Sequence, residues 1–219
     1  MTIKGLFFDL DGVICDTAKY HYQGWKKLAN HLGFDLTLEQ NEALKGLSRR
    51  ESVDQLLKIG GITLSEAEII ENMELKNSWY IEFLNDMTAN DALPGAIDFV
   101  SKAKQKGYKT ALGSSSKNAK KIIDLLGIKH LFDTLIDGTD ITNSKPHPEV
   151  FLMGAENLGL SPEECVVFED ATSGVEAALN GNFKCVGIGK KEVLNKAHYV
   201  VGGLNQITLE KLQEIFEEK

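Results

Sequence analysis

The chain has 219 residues, with 24 Lys and Arg against 32 Asp and Glu and a formal net charge of −8. That length suits one large domain, or a domain with a sizeable insertion, and buries roughly 70–75% of the surface its unfolded form exposes, so folding needs no covalent staple. The acidic balance argues against a binder of nucleic-acid backbones, and no apolar run approaches the ~20 residues of a membrane span. The scattered cysteines Cys15, Cys165 and Cys185 read as reduced thiols of a cytoplasmic protein. Asp9 and Asp11 interrupt the first apolar stretch, so no secretory leader is expected.

The first element, residues 3–9 (IKGLFFD), is short and apolar and stops at acids and Gly12, as a strand buried on both faces of a parallel sheet does. Residues 17–87 contain no strand pattern. His21, Trp25, Leu28 and Leu32 recur there at helical spacing, and amphipathic runs follow over 39–44, 49–59 and 65–87, the last opened by a Ser65/Glu68 capping box. Residues 88–95, ending Leu-Pro-Gly, read as a return linker. Short apolar segments then alternate with helical patterns: strands over 108–113, 131–136, 165–168 and 184–188, helices over 96–106, 118–126, 148–158 and 174–180. Gly107, Gly127, Gly159 and Gly181 each follow a helical run, where a left-handed residue closes a helix. The alternation predicts an α/β fold, a doubly wound parallel-sheet, Rossmann-like core formed by residues 1–16 and 88–219, with residues 17–87 inserted as a helical cap.

In an open parallel sheet, ligands bind beyond the carboxyl ends of the strands. Asp9 and Asp11 follow the first strand, Ser114, Ser115, Ser116 and Lys117 the second, and Glu169 and Asp170 the fourth, while Lys145 sits on the loop leaving the third. Each has an ordinary explanation alone: a turn device, a helix cap, solvated acids, a surface lysine. Together they bring carboxylates, hydroxyls and an ammonium to one sheet edge. Three carboxylates (Asp9, Glu169 and Asp170) would repel one another unless a cation joined them, and all-oxygen ligands suit Mg²⁺, shared with a substrate phosphate. Lys145, the Ser114 hydroxyl and backbone N–H groups would complete a phosphate site. Asp9 could then attack phosphorus, with Asp11 as general acid and base.

Phe8-Asp9-Leu10-Asp11-Gly12-Val13, followed by Asp16-Thr17, resembles the opening motif of the haloacid dehalogenase-like superfamily, and Ser114, Lys145 and Glu169-Asp170 match its other motifs in order. Thr17-Ala18-x-Tyr20-His21, Trp25, the run Leu44-Lys45-Gly46-x-Ser48-Arg49-x-x-Ser52 and Ser114-x-Ser116-Lys117-Asn118 are similar to the β-phosphoglucomutase family within it. The resemblance implies that Asp9 is the nucleophile and a Mg²⁺ ligand, and that Asp11 is the acid and base and a further metal ligand. It implies that Glu169 and Asp170 hold the metal, and that Ser114 and Lys145 bind the phosphoryl group. Arg49, with Ser116 and Asn118, would hold the other phosphate of β-glucose 1,6-bisphosphate, the activating intermediate. His21, Trp25, Lys45, Gly46, Ser52 and Lys117 would complete the sugar-phosphate site, with Thr17 at the hinge. Ala171 and Ser115 depart from the pattern; Ala171 stands where many relatives have Ser. A sugar-phosphate phosphatase with the same nucleophile, or a non-catalytic phosphate or metal sensor, are the other readings. The expected partners are small sugar phosphates, neither nucleic acid nor membrane, acting on a monomer. The isomer of the Lys145-Pro146 bond stays open, since about 5–6% of X–Pro bonds in folded proteins are cis.

Overall fold

The computed structural model describes residues 2–44 and 47–216. It divides into two compact units, Met1–Asp16 with Thr88–Lys219, and Thr17–Met87. In the first, strands β1 (Gly5–Phe8), β2 (Lys109–Gly113), β3 (Thr134–Ile136), β4 (Cys165–Glu169), β5 (Lys184–Ile188) and β6 (Tyr199–Val201) form one parallel sheet in the order β3-β2-β1-β4-β5-β6. The second unit is helical: α1 (Ala18–His31), α2 (Leu38–Asn41), α3 (Arg49–Gly60) and α4 (Glu66–Leu84). Helices α5 (Ala96–Gln105), α6 (Ala119–Leu125), α7 (Glu149–Leu158), α8 (Thr172–Asn180) and α9 (Leu209–Phe216) belong with the sheet.

Strand side chains alternate faces, so β1 sends Phe8 to one side and Phe7 to the other. Phe8 stacks on Phe168 of β4, centroids 4.9 Å apart, and Phe99 of α5 meets both edge-on. On the opposite face Phe7 packs on Phe183, and Phe183 on Phe151 of α7, in one buried cluster with Val167 and Val175. Both faces of the central strands are therefore apolar, which is why the strands read as unbroken hydrophobic runs. The helical unit has its own core of Trp25, Leu28, Leu36, Val53, Leu56 and Ile69.

Local chemistry shifts several expected boundaries. The third strand is confined to Thr134–Ile136, because the carbonyl of Leu131 accepts the Thr110 hydroxyl at 2.6 Å and Lys129–Leu131 turns as a 3-10 helix. Residues 39–44 are not one run; α2 gives way to a 3-10 turn at Glu42–Leu44. Gly107, Gly127 and Gly159 take left-handed angles as expected, but Gly181 does not; the left-handed residue is Asn182, with φ 62°. Besides the Ser65/Glu68 capping box, α2 and α3 carry Thr37/Gln40 and Ser48/Glu51 boxes. Strand β6 and helix α9 lie beyond the last segment read from the sequence. The Lys145–Pro146 peptide bond is cis.

Candidate active site

The strand order reverses beside β1: β2 and β3 lie on one side of it, β4 to β6 on the other. Such a switch point opens a crevice at the carboxyl ends of the strands. Phe8 registers with Leu112 of β2 and Phe168 of β4, so the next residues, Asp9, Gly113 and Glu169, come level. The Asp9 N–H donates to the Phe168 carbonyl at 3.0 Å, extending the ladder past β1. Alternation puts Asp9 on the face of Phe7 and Glu169 on that of Val167, over the same apolar cluster. Asp9 is 7% and Glu169 1% exposed.

Lys145 reaches this pair from the loop between β3 and α7. Its ammonium donates to Asp9 Oδ1 at 2.6 Å, to the Gly113 carbonyl at 3.0 Å and to Glu169 Oε1, and lies 4.8 Å from the Phe151 ring centroid. Burial alone would lower the Lys145 pKa, but Asp9 and Glu169 overrule it and hold it above the ordinary lysine value. Asp9 stands well above the usual carboxylate range: burial raises it, Lys145 pulls it down, and Glu169, Asp11 and Asp170 push it further up. The Asp170 carboxyl is pushed up to about 7 by burial, then by Glu169 and Asp11.

Two glycines let this crowd form. Gly12 has φ +76°, and a Cβ there would sit 2.0 Å from Asp170 Oδ2. Gly174 lies in the first turn of α8, and its Cβ would sit 1.9 Å from Glu169 Cδ. The Glu169 carboxylate also accepts the N–H of Ala171 at 3.0 Å. Carboxylate oxygens of Asp9, Glu169 and Asp170 all lie within 4.8 Å of one another. Three hard oxygen donors with one ammonium nearby fit a divalent, oxygen-loving cation, which would relieve the repulsion that lifts Asp9 and Asp170.

Ser114, next after β2, is buried, and its N–H donates to the Ile136 carbonyl. Its Oγ accepts the Ser116 N–H at 3.1 Å, and the Ser116 Oγ accepts the Asn118 N–H at 3.3 Å. Each hydroxyl oxygen takes a backbone donor and keeps its own hydrogen to give to a ligand. The Gly138 N–H donates to the Ser116 carbonyl at 3.1 Å, tying this loop to the one after β3. Lys117 and Ser115 are exposed and Asn118 half-buried at the start of α6. Asp11 is half-buried, pairs through its backbone with Cys15, and is close enough to raise both Asp9 and Asp170. Cys15, Cys165 and Cys185 are buried free thiols; burial pushes Cys165 and Cys185 up to about 12 and Cys15 higher still, so they are inert near neutral pH.

In the helical unit, the buried Thr17 lends its carbonyl to the N–H groups of Tyr20 and His21 at the start of α1. His21 meets a residue the sequence reading missed. Lys76 of α4, 2% exposed, places Nζ 3.0 Å from His21 Nδ1, 4.2 Å from the Trp25 ring centroid and 4.8 Å from that of Tyr80. While Lys76 is an ammonium it has only hydrogens to offer, so Nδ1 then accepts and the neutral imidazole carries its proton on Nε2. Burial first, then Arg49, lowers the Lys76 pKa to about 7; burial, then Lys76 and Arg49, lowers His21 to about 3. Arg49 donates to the Asn77 amide oxygen at 2.8 Å, while Arg50 is taken by Asp54 and Glu66. Trp25 is a core residue forming a wall for Lys76, and Ser52 is buried in α3 at 3% exposure. Lys45 and Gly46 lie outside the described residues. No helix among the described residues is long and apolar enough to cross a membrane.

A β-phosphoglucomutase of Bacillus subtilis is 38% identical over 218 residues, 99% of this chain and 96% of its own. A phosphorylated carbohydrates phosphatase of Thermotoga maritima is 29% identical over 99% of both chains. The crystal structure of a β-phosphoglucomutase from Clostridium difficile superposes with a TM-score of 0.86 at 42% identity, covering 98% of this chain and 97% of that one. The haloacid dehalogenase-like hydrolase model matches residues 3–182, a span that contains Asp9, Ser114, Lys145, Glu169 and Asp170. With the sheet order, the acid cluster and these likenesses in agreement, the chain is an enzyme and belongs to the haloacid dehalogenase-like hydrolase family.

Proposed function

We propose that this enzyme interconverts β-D-glucose 1-phosphate and glucose 6-phosphate by phosphoryl transfer through Asp9. β-Glucose 1,6-bisphosphate is the intermediate. The observation that carries this reading is a second pair of basic side chains, Arg49 and Lys76, beside the neutral His21 in the helical unit, besides Lys145 in the sheet unit. A phosphatase needs one phosphate site; a mutase whose intermediate bears two phosphates needs two. A guanidinium suits that second role because it grips phosphate bidentately and stays charged.

In the proposed mechanism the Asp9 carboxylate attacks phosphorus, the bond from phosphorus to the donor oxygen breaks, and that oxygen takes the proton held by Asp11. The acceptor hydroxyl then returns a proton to Asp11 as its oxygen attacks the aspartyl phosphate, and Asp9 is regenerated. Lys145 and the hydroxyl of Ser114 hold the transferring group, their donors offsetting its negative charge. A Mg²⁺ ion held by Asp9, Asp170 and the Asp11 carbonyl, with Glu169 supporting it, would supply the remaining positive charge. Ser116, Lys117 and Asn118 are the further substrate residues proposed in the sheet unit, and His21, Trp25, Lys45, Gly46 and Ser52 those proposed in the helical unit, which begins at Thr17.

The test is a product assay. The protein is incubated with Mg²⁺, β-glucose 1-phosphate and a trace of the bisphosphate, with the α anomer in parallel, and glucose 6-phosphate is followed against free phosphate. The reading requires glucose 6-phosphate from the β anomer and none from Asp9→Asn. Inorganic phosphate as the main product would make the enzyme a sugar-phosphate phosphatase, and turnover by Asp9→Asn would remove Asp9 as nucleophile.

A further inference from the structure

Lys145 stands on a stretch, residues 137–148, that contains no helix or strand. A side chain on such a loop is only as well placed as whatever grips the backbone around it. The grip on its N-terminal side is Glu149, the first residue of α7. One carboxylate oxygen accepts the Thr142 N–H at 2.8 Å; the other accepts the Asn143 N–H and the Asn143 side-chain amide, both at 2.8 Å. On the C-terminal side the Asn180 side chain of α8 donates to the Pro146 carbonyl at 3.1 Å.

An acid in the first turn of a helix is ordinarily explained by the helix dipole and by capping of that helix's own N–H groups. Here the bonds run elsewhere. Both oxygens face backbone six and seven residues earlier, on the loop that carries Lys145. The same helix supplies Phe151, whose ring lies under the Lys145 ammonium. Helix α7 thus provides both the floor beneath Lys145 and the clamp on the backbone leading to it.

We propose that Glu149 is a positioning residue for Lys145, acting on phosphoryl transfer only through the placement of that ammonium. The inference rests on reading Lys145 as a ligand of the transferring phosphoryl group. A carboxylate does this work because only an acceptor with two oxygens can take three N–H donors from adjacent residues. Gln at 149 has one acceptor oxygen and would turn its own N–H₂ toward one of those donors.

The experiment is a double-mutant cycle between Glu149 and Lys145 in the full chain with Mg²⁺, read as hydrolysis of acetyl phosphate. Its turnover forms and hydrolyses the aspartyl phosphate, both steps acting on the phosphoryl group assigned to Lys145, whatever sugar the enzyme uses. If a displaced ammonium costs what a misplacement of about 1 Å costs elsewhere, Glu149→Ala lowers kcat by roughly 10–100-fold with KM changed by less than about threefold. Glu149→Gln falls between it and the parent. In a Lys145→Ala background the same Glu149 substitutions cost less than about twofold, because the group they place is gone. Equal losses in both backgrounds, or an unchanged kcat in a folded Glu149 variant, overturn the proposal. If Glu149→Ala does not fold, Glu149→Gln carries the same cycle. Full activity in Lys145→Ala alone would instead overturn the reading of Lys145, so the two failures are told apart.

Discussion

Gly12 illustrates how much of this site depends on an atom that is missing. Its φ of +76° is left-handed, and the space a Cβ would fill is taken by the Asp170 carboxylate, 2.0 Å away. Alanine therefore meets two separate costs. The backbone angle costs about 1–2 kcal/mol for a residue with a Cβ. The clash must be relieved by moving Asp170, which belongs to the acid cluster. We expect Gly12→Ala to lower Tm by about 2–4 °C for each kcal/mol lost in a domain of this size. It should lower kcat by about 10²-fold, as misplacement of a working group by about 1 Å does. Steady-state kinetics alongside a melting curve check this; a variant with normal kcat would show that Asp170 can shift without harm. The sequence supplied the chemistry-bearing residues here because Asp9, Ser114 and Glu169 end or follow strands whose apolar runs are unmistakable. It could not show that Gly12 and Gly174 are close approaches to carboxylates, because those approaches join segments more than 150 residues apart or turn on a helix start, α8 beginning at Thr172 rather than 174. Local patterns carry no information about either.

Among the elements, α4 shows what periodicity can and cannot disclose. Ile69, Met73, Lys76, Tyr80 and Leu84 follow one another at spacings of three and four, which is the buried stripe of an amphipathic helix. A lysine on that stripe was the available signal for a functional residue, since buried lysines are rare unless paired. In the folded unit Lys76 carries a pKa lowered to about 7, chiefly by burial. A base whose folded pKa lies below its unfolded value of about 10.4 penalises the fold when protonated, so its cost is greatest at and below pH 7 and fades as pH rises toward 10. Lys76→Met keeps the stem and removes the charge. We expect its Tm to exceed that of the parent at pH 7 and the difference to shrink toward pH 10, while the three raised thiols, common to both proteins, cancel. A constant difference across that range would mean that Lys76 is not a strained cation. The same variant should weaken sugar-phosphate turnover, the exchange of stability for activity expected when a binding group is held where it is unfavourable.

At the scale of the whole molecule, the excess of 32 acids over 24 bases is not spread evenly in its effects. Most surface carboxylates have water or a lysine at hand, but Asp9, Glu169 and Asp170 share one ammonium and a crevice at a sheet edge. Repulsion there is relieved either by protons or by a cation, and the two compete. The Asp170 carboxyl, pushed up to about 7 by burial, then Glu169 and Asp11, binds its proton more tightly folded than unfolded. A carboxyl raised in this way contributes stability that is fully present below its unfolded value of about 3.9 and is lost as pH climbs through about 7. Asp9, raised in the same direction, adds to that loss. The chelated protein should therefore melt at progressively lower temperature, through this cluster, between pH 4 and 8. Asp170 is exposed to solvent on one side, so screening makes its share of the effect smaller than the shift alone implies. We expect Mg²⁺ to reverse the trend, since it would bind the ionised cluster and not the unfolded chain. At a hundred times its dissociation constant it adds about 2.7 kcal/mol, or roughly 5–10 °C in Tm. We expect that gain to be largest at pH 8 and to shrink markedly by pH 5.5, where protons hold the site. Asp170→Asn should remove both the Mg²⁺ gain and most of the pH dependence of the chelated protein. Melting curves at the two pH values, with and without Mg²⁺, decide the matter: an equal Mg²⁺ gain at pH 5.5 and pH 8 would mean that the acids are not the proton-competing ligands their burial and mutual repulsion make them.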